Sequence, residues 1–341
     1  MPSLVGRMLD EIRAEIAPSD DVLSAARQRR DRVLSIARRF PGTLRTYVSG
    51  SIAHGTANED TDADCGVVLD RRAYPDLGPD GDDAGPREVV ERVRTLLRQS
   101  MGTDEGVAYR LTKRAIKVTF SNSVHGQNPS VDLIVALTRL DEPGLWIPNL
   151  ESGGWDASHP EKHTELFSSG RQELRRVRAQ ATRLAKAWNK QFADPAFCSF
   201  NLEVFAWHAV TAAVSLGEAL HMLFAYGASD LSTRNTHDPA GVSRPIRTLI
   251  DRDQAVTRIR RAAALMEQAL EADDEEEIRE ALAKLFPDYV PAPGAPASKA
   301  KLVDALRRAN AGLTFGAGGL HLGGTGKPLK PTRAYGDGPP G

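Results

Sequence analysis

Residues 47–70 read YVSGSIAHGTANEDTDADCGVVLD, and this stretch sets the fold expected of the whole chain. An apolar lead-in ends at Gly50-Ser51. A turn and a short helix follow. A carboxylate pair, Asp62 and Asp64, then enters the apolar run Cys65 to Leu69. Alternate residues of a strand share a face. Asp62, Asp64 and Gly66 therefore point one way, while Ala63, Cys65, Val67 and Leu69 point into a core. Two carboxylates on one face repel each other unless a cation lies between them. Hard oxygen ligands of this kind suit Mg²⁺ bound together with phosphates. Gly50 lets the backbone approach a phosphate closely. Ser51, near a helix start, offers a hydroxyl and backbone N–H groups at the positive end of the helix dipole. The plain alternative is a solvated acidic turn with Ser51 as an ordinary N-cap. Asp60 shares the parity of Asp62 and Asp64, but the apolar run begins after Asp64, so Asp62 and Asp64 form the pair.

Working outward, residues 4–16 and a segment from Ser19 to about Phe40 read as helices, and Pro41-Gly42 stops the second. Thr43 to Val48 is a strand. Residues 71–85, rich in Asp, Gly and Pro, are a surface loop. A helix runs from Pro86 to about Met101, with Val89, Val90, Val93, Leu96 and Leu97 on one face. Strand-like segments follow at 106–111, 115–120 and 131–137. In the last of these, VDLIVAL, Asp132 interrupts an apolar run. A mid-strand aspartate is costly unless paired. A salt bridge would explain it, and so would a third carboxylate of a metal site; the upstream pair favours the second.

These elements predict an α+β fold, a mixed sheet with helices on one side, over residues 1–145. Strand signals stop near Glu142, and 144–164 reads as an aromatic, turn-rich connector. Beyond it the pattern is helical, at about 166–193, 200–226, 251–271 and 274–285, giving a helical lobe over 146–290. Residues 291–311 are expected to be a linker and a short helix. Residues 312–341, rich in Gly and Pro, are expected to be disordered.

Composition narrows the function classes. The 341 residues carry a formal net charge of −1. A protein that grips long nucleic acid usually shows a basic field, so such a partner is disfavoured. The two cysteines, Cys65 and Cys198, lie far apart and cannot by themselves form a zinc site. Both sit in apolar surroundings, as buried thiols in a reducing cytoplasm do. The N-terminus is acidic and amphipathic, unlike a signal peptide. The most apolar run, Val204 to Leu216, is too short to span a bilayer and reads as a buried helix.

The constellation Gly50-Ser51, Asp62-x-Asp64 and Asp132 resembles the polymerase-β-like nucleotidyltransferases. Two further stretches narrow the likeness. They are Trp146-Ile147-Pro148-Asn149 with Gly154-Trp155-x-x-Ser158-x-Pro160, and Arg183-Leu184-x-Lys186-x-Trp188-Asn189 with Ser199-Phe200-x-x-Glu203. Both resemble the bacterial relatives of cyclic GMP–AMP synthase and oligoadenylate synthase, the CD-NTases of anti-phage CBASS systems. The likeness spans roughly residues 40–250 and implies a mixed-sheet nucleotidyltransferase palm packed on a helical lobe. It also implies a cytoplasmic enzyme that joins nucleoside triphosphates into a cyclic di- or trinucleotide, which then reaches an effector. By the same resemblance, Gly50 and Ser51 would hold the donor triphosphate. Asp62 and Asp64 would bind two Mg²⁺ ions, for which Mn²⁺ could substitute. Asp132 would bind the catalytic ion and help activate the attacking hydroxyl. Lys186 and Ser199 would contact donor phosphates, with Lys190 one turn further along. Lys186 also reads as a plain helix lysine, and Ser199 as an N-cap.

Tyr47 reads as core and His54 as an outward helix residue. Trp155 is left open between base stacking and core, whereas Trp188 and Trp207 read as core. The zinc insertion of the DNA-sensing branch has no counterpart here. The tail ends in Gly341, which in some CD-NTases is conjugated by a partner enzyme; an ordinary terminus is the alternative. On the same scaffold, an RNA-terminal or small-molecule nucleotidyltransferase is the competing enzyme. A non-catalytic nucleotide-binding protein is the competing class, and the presence of all three acids speaks against it.

Overall fold

A computed structural model describes residues 3–60, 62–81, 85–102, 106–140 and 142–291, together with the backbone of two short strands at 313–316 and 319–322. The chain divides into two compact units. One comprises Ala17–Ala179 with Asn235–Ile246, and the other comprises Met1–Ile16, Gln180–Arg234 and Arg247–Gly341. The boundary expected at residue 145 thus falls at 179/180, and the first helix belongs with the later helices. Local periodicity marks a helix but does not say which core receives its apolar face.

The first unit is built on a seven-stranded sheet. In chain order it contains helix α2 (Asp20–Ala37), strand β1 (Thr43–Ser49), the short helix α3 (Gly50–His54), strand β2 (Ala63–Leu69) and helix α4 (Arg87–Met101). Strands β3 (Ala108–Leu111), β4 (Ile116–Thr119), β5 (Val131–Thr138), β6 (Leu145–Asn149) and β7 (Gly154–Ser158) follow, and then helix α5 (Pro160–Phe167). The main order is β1-β2-β5-β4-β3. β6 pairs with β5, and β7 with β6. β2 and β5 run parallel, and the other pairs are antiparallel.

The alternation read from the sequence holds. Ala63, Cys65, Val67 and Leu69 of β2 and Val131, Leu133, Val135 and Leu137 of β5 enter one core with apolar residues of α2 and α4. The opposite face carries a smaller cluster of Tyr47, Val68, Ala136, Leu145 and Ile147. Tyr47 is core, as expected, and its ring occupies the space a Cβ on Gly66 would need, 2.2 Å from Tyr47 Cζ.

Three expectations are corrected here. The connector at 144–164 forms β6, β7 and the start of α5. Pro148 and a Gly-Gly turn mask their strand character in sequence, but the last residues of β5, Leu137 and Thr138, which extend past its pairing with β4, supply the partner. α5 begins at Pro160, capped by His159, before the expected helix at 166. His54 does not point outward: its Nε2 lies 3.2 Å from Thr164 Oγ1, and its ring meets Phe167 edge-on.

The second unit contains α1 (Leu4–Glu15), most of α6 (Gln172–Lys190), α7 (Ser199–Ala209), α8 (Leu216–Thr233), α9 (Arg252–Glu271) and α10 (Glu275–Leu285). The single helix expected over 200–226 breaks at Val210–Ser215. There the Ser215/Glu218 capping box starts α8 afresh. The buried run of α7 accordingly stops at Ala206. Trp188 is core, packed against Phe192, Phe197 and Phe224, whereas Trp207 is only half-buried. Both cysteines are buried and free; burial raises the Cys65 thiol well above its ordinary range and pushes Cys198 up to about 11. Neither is a reactive thiolate.

Within the expected disordered tail, β8 (Leu313–Gly316) and β9 (Gly319–Leu322) form an antiparallel hairpin. Leu, Thr and Phe give these few residues strand character that the Gly- and Pro-rich average conceals. The expected linker and short helix at 292–309, the rest of the tail and Gly341 lie outside the described residues. No described helix is long and apolar enough to cross a membrane.

Candidate active site

Sheet register assembles the acids. Asp64 of β2 is the partner of Ser49 on β1 and, on the other side, of Asp132 on β5. Asp132 is in turn the partner of Lys117 on β4. Asp62 immediately precedes β2. The first unit therefore brings Gly50, Ser51, Asp62, Asp64 and Asp132 together at one end of the neighbouring strands β1, β2 and β5.

Gly50 cannot be replaced without cost. Its φ is +73°, and a Cβ built there would lie 1.8 Å from Asp64 Oδ2. The glycine thus both makes the turn and leaves room for the carboxylate. Ser49, not Ser51, is the N-cap of α3, and its side chain makes no capping bond. Ser51 is the second residue of the helix, and its carbonyl accepts from Thr56 N–H at 2.9 Å.

Asp62 is held at both oxygens. Its Oδ1 accepts from Ser130 Oγ at 2.6 Å and from Ser130 N–H at 3.3 Å. Its Oδ2 accepts from Lys117 Nζ, which also stands 3.9 Å from Asp132 Oδ1. Burial by itself would lower the Lys117 pKa, but Asp132, Asp62 and Asp64 together hold it above its ordinary value. Lys117 and Ser130 are the partners of these acids that sequence reasoning missed. Lys117 was one more polar position in a strand-like run, and only cross-strand register shows what it faces.

Arg29 of α2 supports this arrangement from behind. It donates to Asn128 Oδ1 at 2.7 Å, to the Pro129 carbonyl at 2.6 Å and to the Asn122 carbonyl, and it lies over the Phe120 ring. The β4–β5 loop that carries Ser130 is thereby tied to the helix.

Lys186, Lys190 and Ser199 lie in the second unit. Lys186 is buried and donates to Glu203 Oε1 at 2.7 Å, with each side chain only 6% exposed. Lys190, the last residue of α6, is half-buried, as is Ser199. Cys198 is the N-cap of α7 and Ser199 its first residue, so the capping role considered for Ser199 belongs to its neighbour. Trp155 packs partly against the core of the first unit.

Among the described residues no set of three or more His, Cys, Asp or Glu side chains is arranged to hold a metal ion. The donor chemistry still fits a hard divalent cation. It is all carboxylate oxygen, and a cationic ammonium already stands among the acids.

This geometry has known counterparts. The family described as "Nucleotidyltransferase domain" matches residues 30–110, which include the Gly50-Ser51 turn and both acids of the pair. CdnC of E. coli MS115-1 with ATP superposes with a TM-score of 0.61 at 18% identity, covering 82% of this chain and 96% of its own. CdnG of Bradyrhizobium diazoefficiens, a CD-NTase in complex with GTP, gives 0.63 at 15% identity, covering 84% and 96%. The fold is that of a CD-NTase. DncV of Vibrio cholerae, a cyclic AMP-GMP synthase and prokaryotic cGAS homolog, shares the CD-NTase fold with a TM-score of 0.54 at 15% identity, covering 72% of this chain and 69% of its own. CdnC is also described in a CdnC:HORMA-deltaN complex. Among curated proteins no sequence matches this chain.

Proposed function

We propose that this chain is a cytoplasmic, Mg²⁺-dependent nucleotidyltransferase that joins ribonucleoside triphosphates into a cyclic di- or trinucleotide, a signal in anti-phage defence, with release of pyrophosphate. The observation that carries the reading is the placement of Asp64 and Asp132 as direct partners on parallel strands, with Gly50 against Asp64 and Asp62 alongside. The ligands named for CdnC and CdnG, ATP and GTP, and the product named for DncV support the substrate class.

Asp62, Asp64 and Asp132 would hold the metal, with Mn²⁺ able to substitute. When bound, the metal supplies Lewis-acid polarisation of the phosphates and a lowered pKa for the acceptor hydroxyl. Gly50 keeps the backbone close to the donor triphosphate, and the Ser51 hydroxyl donates to its oxygens. Asp132 orients the attacking ribose hydroxyl, and its carboxylate favours loss of that proton. Ser130 fixes the rotamer of Asp62, so less ordering is needed when substrate arrives. By analogy with CdnC, a protein partner is also proposed.

The test uses purified protein with the four ribonucleoside triphosphates and Mg²⁺ or Mn²⁺. The expected result is pyrophosphate release and a phosphatase-resistant product whose mass is that of a cyclic oligonucleotide. Asp62→Ala with Asp64→Ala should abolish both. A phosphatase-sensitive, linear or RNA-terminal product would instead establish the competing enzyme on this scaffold.

A further inference from the structure

The acid cluster of the first unit already contains a cation of its own. Lys117 Nζ donates to Asp62 Oδ2 and stands 3.9 Å from Asp132 Oδ1, and the lysine side chain is only 16% exposed. Asp132 is the strand partner of both Lys117 and Asp64. Ser130 takes the other oxygen of Asp62, so Oδ2 is turned toward the ammonium. The ammonium offsets part of the negative charge of the three carboxylates. An ammonium bonded to one carboxylate and close to a second occupies space that a shared metal ion would need.

We propose that Lys117 is a displaceable internal counter-ion: it neutralises the acids when no metal is bound, must be expelled by an incoming divalent cation, and so sets the cation affinity of the site. This rests on the reading that Asp62, Asp64 and Asp132 bind a divalent cation. A lysine suits the role. Its four-carbon stem is flexible, and its head is a compact point charge without the bidentate hold of an arginine.

The probe is Mn²⁺ alone, titrated into the full chain and followed by loss of the free-ion electron paramagnetic resonance signal, with no nucleotide and no turnover. Wild type is compared with Lys117→Met, Lys117→Arg and Asp64→Asn, each checked for folding by circular dichroism. Lys117→Met should bind Mn²⁺ about tenfold more tightly than wild type, because the competing charge is gone. Lys117→Arg should bind Mn²⁺ more weakly than wild type, because a bidentate guanidinium is harder to displace. If Asp64→Asn weakens binding while Lys117→Met stays within about twofold of wild type, the counter-ion proposal is overturned and the metal site stands. If neither wild type nor Lys117→Met binds Mn²⁺, the metal reading itself falls, and the proposal with it. Should Lys117→Met not fold, Lys117→Arg decides the matter. Its bidentate hold on the carboxylates should weaken Mn²⁺ binding, and equal or tighter binding would overturn the proposal.

Discussion

Lys117 and Lys186 are both lysines bonded to a carboxylate, and they differ in charge balance. Lys186 donates to the Glu203 carboxylate at 2.7 Å, with both side chains 6% exposed, so this bond sets one ammonium against one carboxylate. Lys117 bonds Asp62, lies near Asp132 and feels Asp64 as well. Its neighbours carry more negative charge than it can cancel, and Asp62 is 31% exposed. Burial of a matched pair is a structural solution, although it contributes little net stability against an apolar substitute. Three carboxylates about one ammonium, partly open to solvent, suit a ligand of the opposite sign. The same residue type is therefore buried against one carboxylate in one unit and stands among three in the other.

The strongest way to break this contrast is at the surplus itself. Asp64→Asn should lower the rate of triphosphate consumption by roughly a thousandfold or more, about 4 kcal/mol in the barrier, with little change in thermal midpoint. A variant that keeps more than a tenth of wild-type activity would remove Asp64 from the chemistry.

On the other side of the comparison, Lys186→Met should cost about 3 kcal/mol of stability in a denaturant titration, because the buried Glu203 carboxylate loses its ammonium partner. The double change Lys186→Met with Glu203→Leu should recover most of that loss. If Lys186→Met instead raised KM for the triphosphate and left stability alone, the phosphate contact expected from the sequence would be restored and the structural reading lost.

Gly50→Ala sharpens the geometry of the acid cluster. Its Cβ would fall on Asp64, in a backbone conformation that side chains rarely adopt. Displacing the carboxylate by an ångström or so should lower kcat/KM about a hundredfold. Activity near wild type would mean that the turn can relax away from Asp64.

The smallest effect concerns a matched pair within the first unit. Asp238, with its side chain 1% exposed, bonds His163 Nε2 at 2.6 Å and accepts from the N–H groups of Ala240, Val242 and Ser243. Burial alone would raise its pKa, but the His163 bond and the backbone donors outweigh it and hold the carboxyl well below its usual range. A depressed carboxylate stabilises the fold fully above its unfolded pKa and loses that contribution as pH falls toward the folded value. Asp238→Asn should cost about 2 kcal/mol at neutral pH. The difference from wild type should hold steady above about pH 4 and narrow below it. A difference that widened on acidification would contradict this assignment.

Much of the fold was legible because its signals are local. The period-two alternation of β2 and β5 gave the buried face, and Ser19 with Asp20 and Asp21 marked the start of α2. The short strands β6 and β7 were illegible, since Pro148 and Gly154 suppress strand character that only pairing with the last residues of β5 restores. The break between α7 and α8 was hidden in an apolar run, where a capping box rather than a polarity change marks the new start.

The sequence by itself determined the acids and the turn. Gly50-Ser51 and Asp62-x-Asp64 are neighbours along the chain, and Asp132 announces itself as a charge in an apolar strand. Only the tertiary structure decided what surrounds them. Strand register placed Lys117 against Asp132, and the β4–β5 loop placed Ser130 on Asp62. Packing between α6 and α7 gave Lys186 to Glu203. The physical reason is that a carboxylate's identity is covalent, whereas its electrostatic environment is the sum of charges brought near it from distant positions, and spacing along the chain carries no record of that sum.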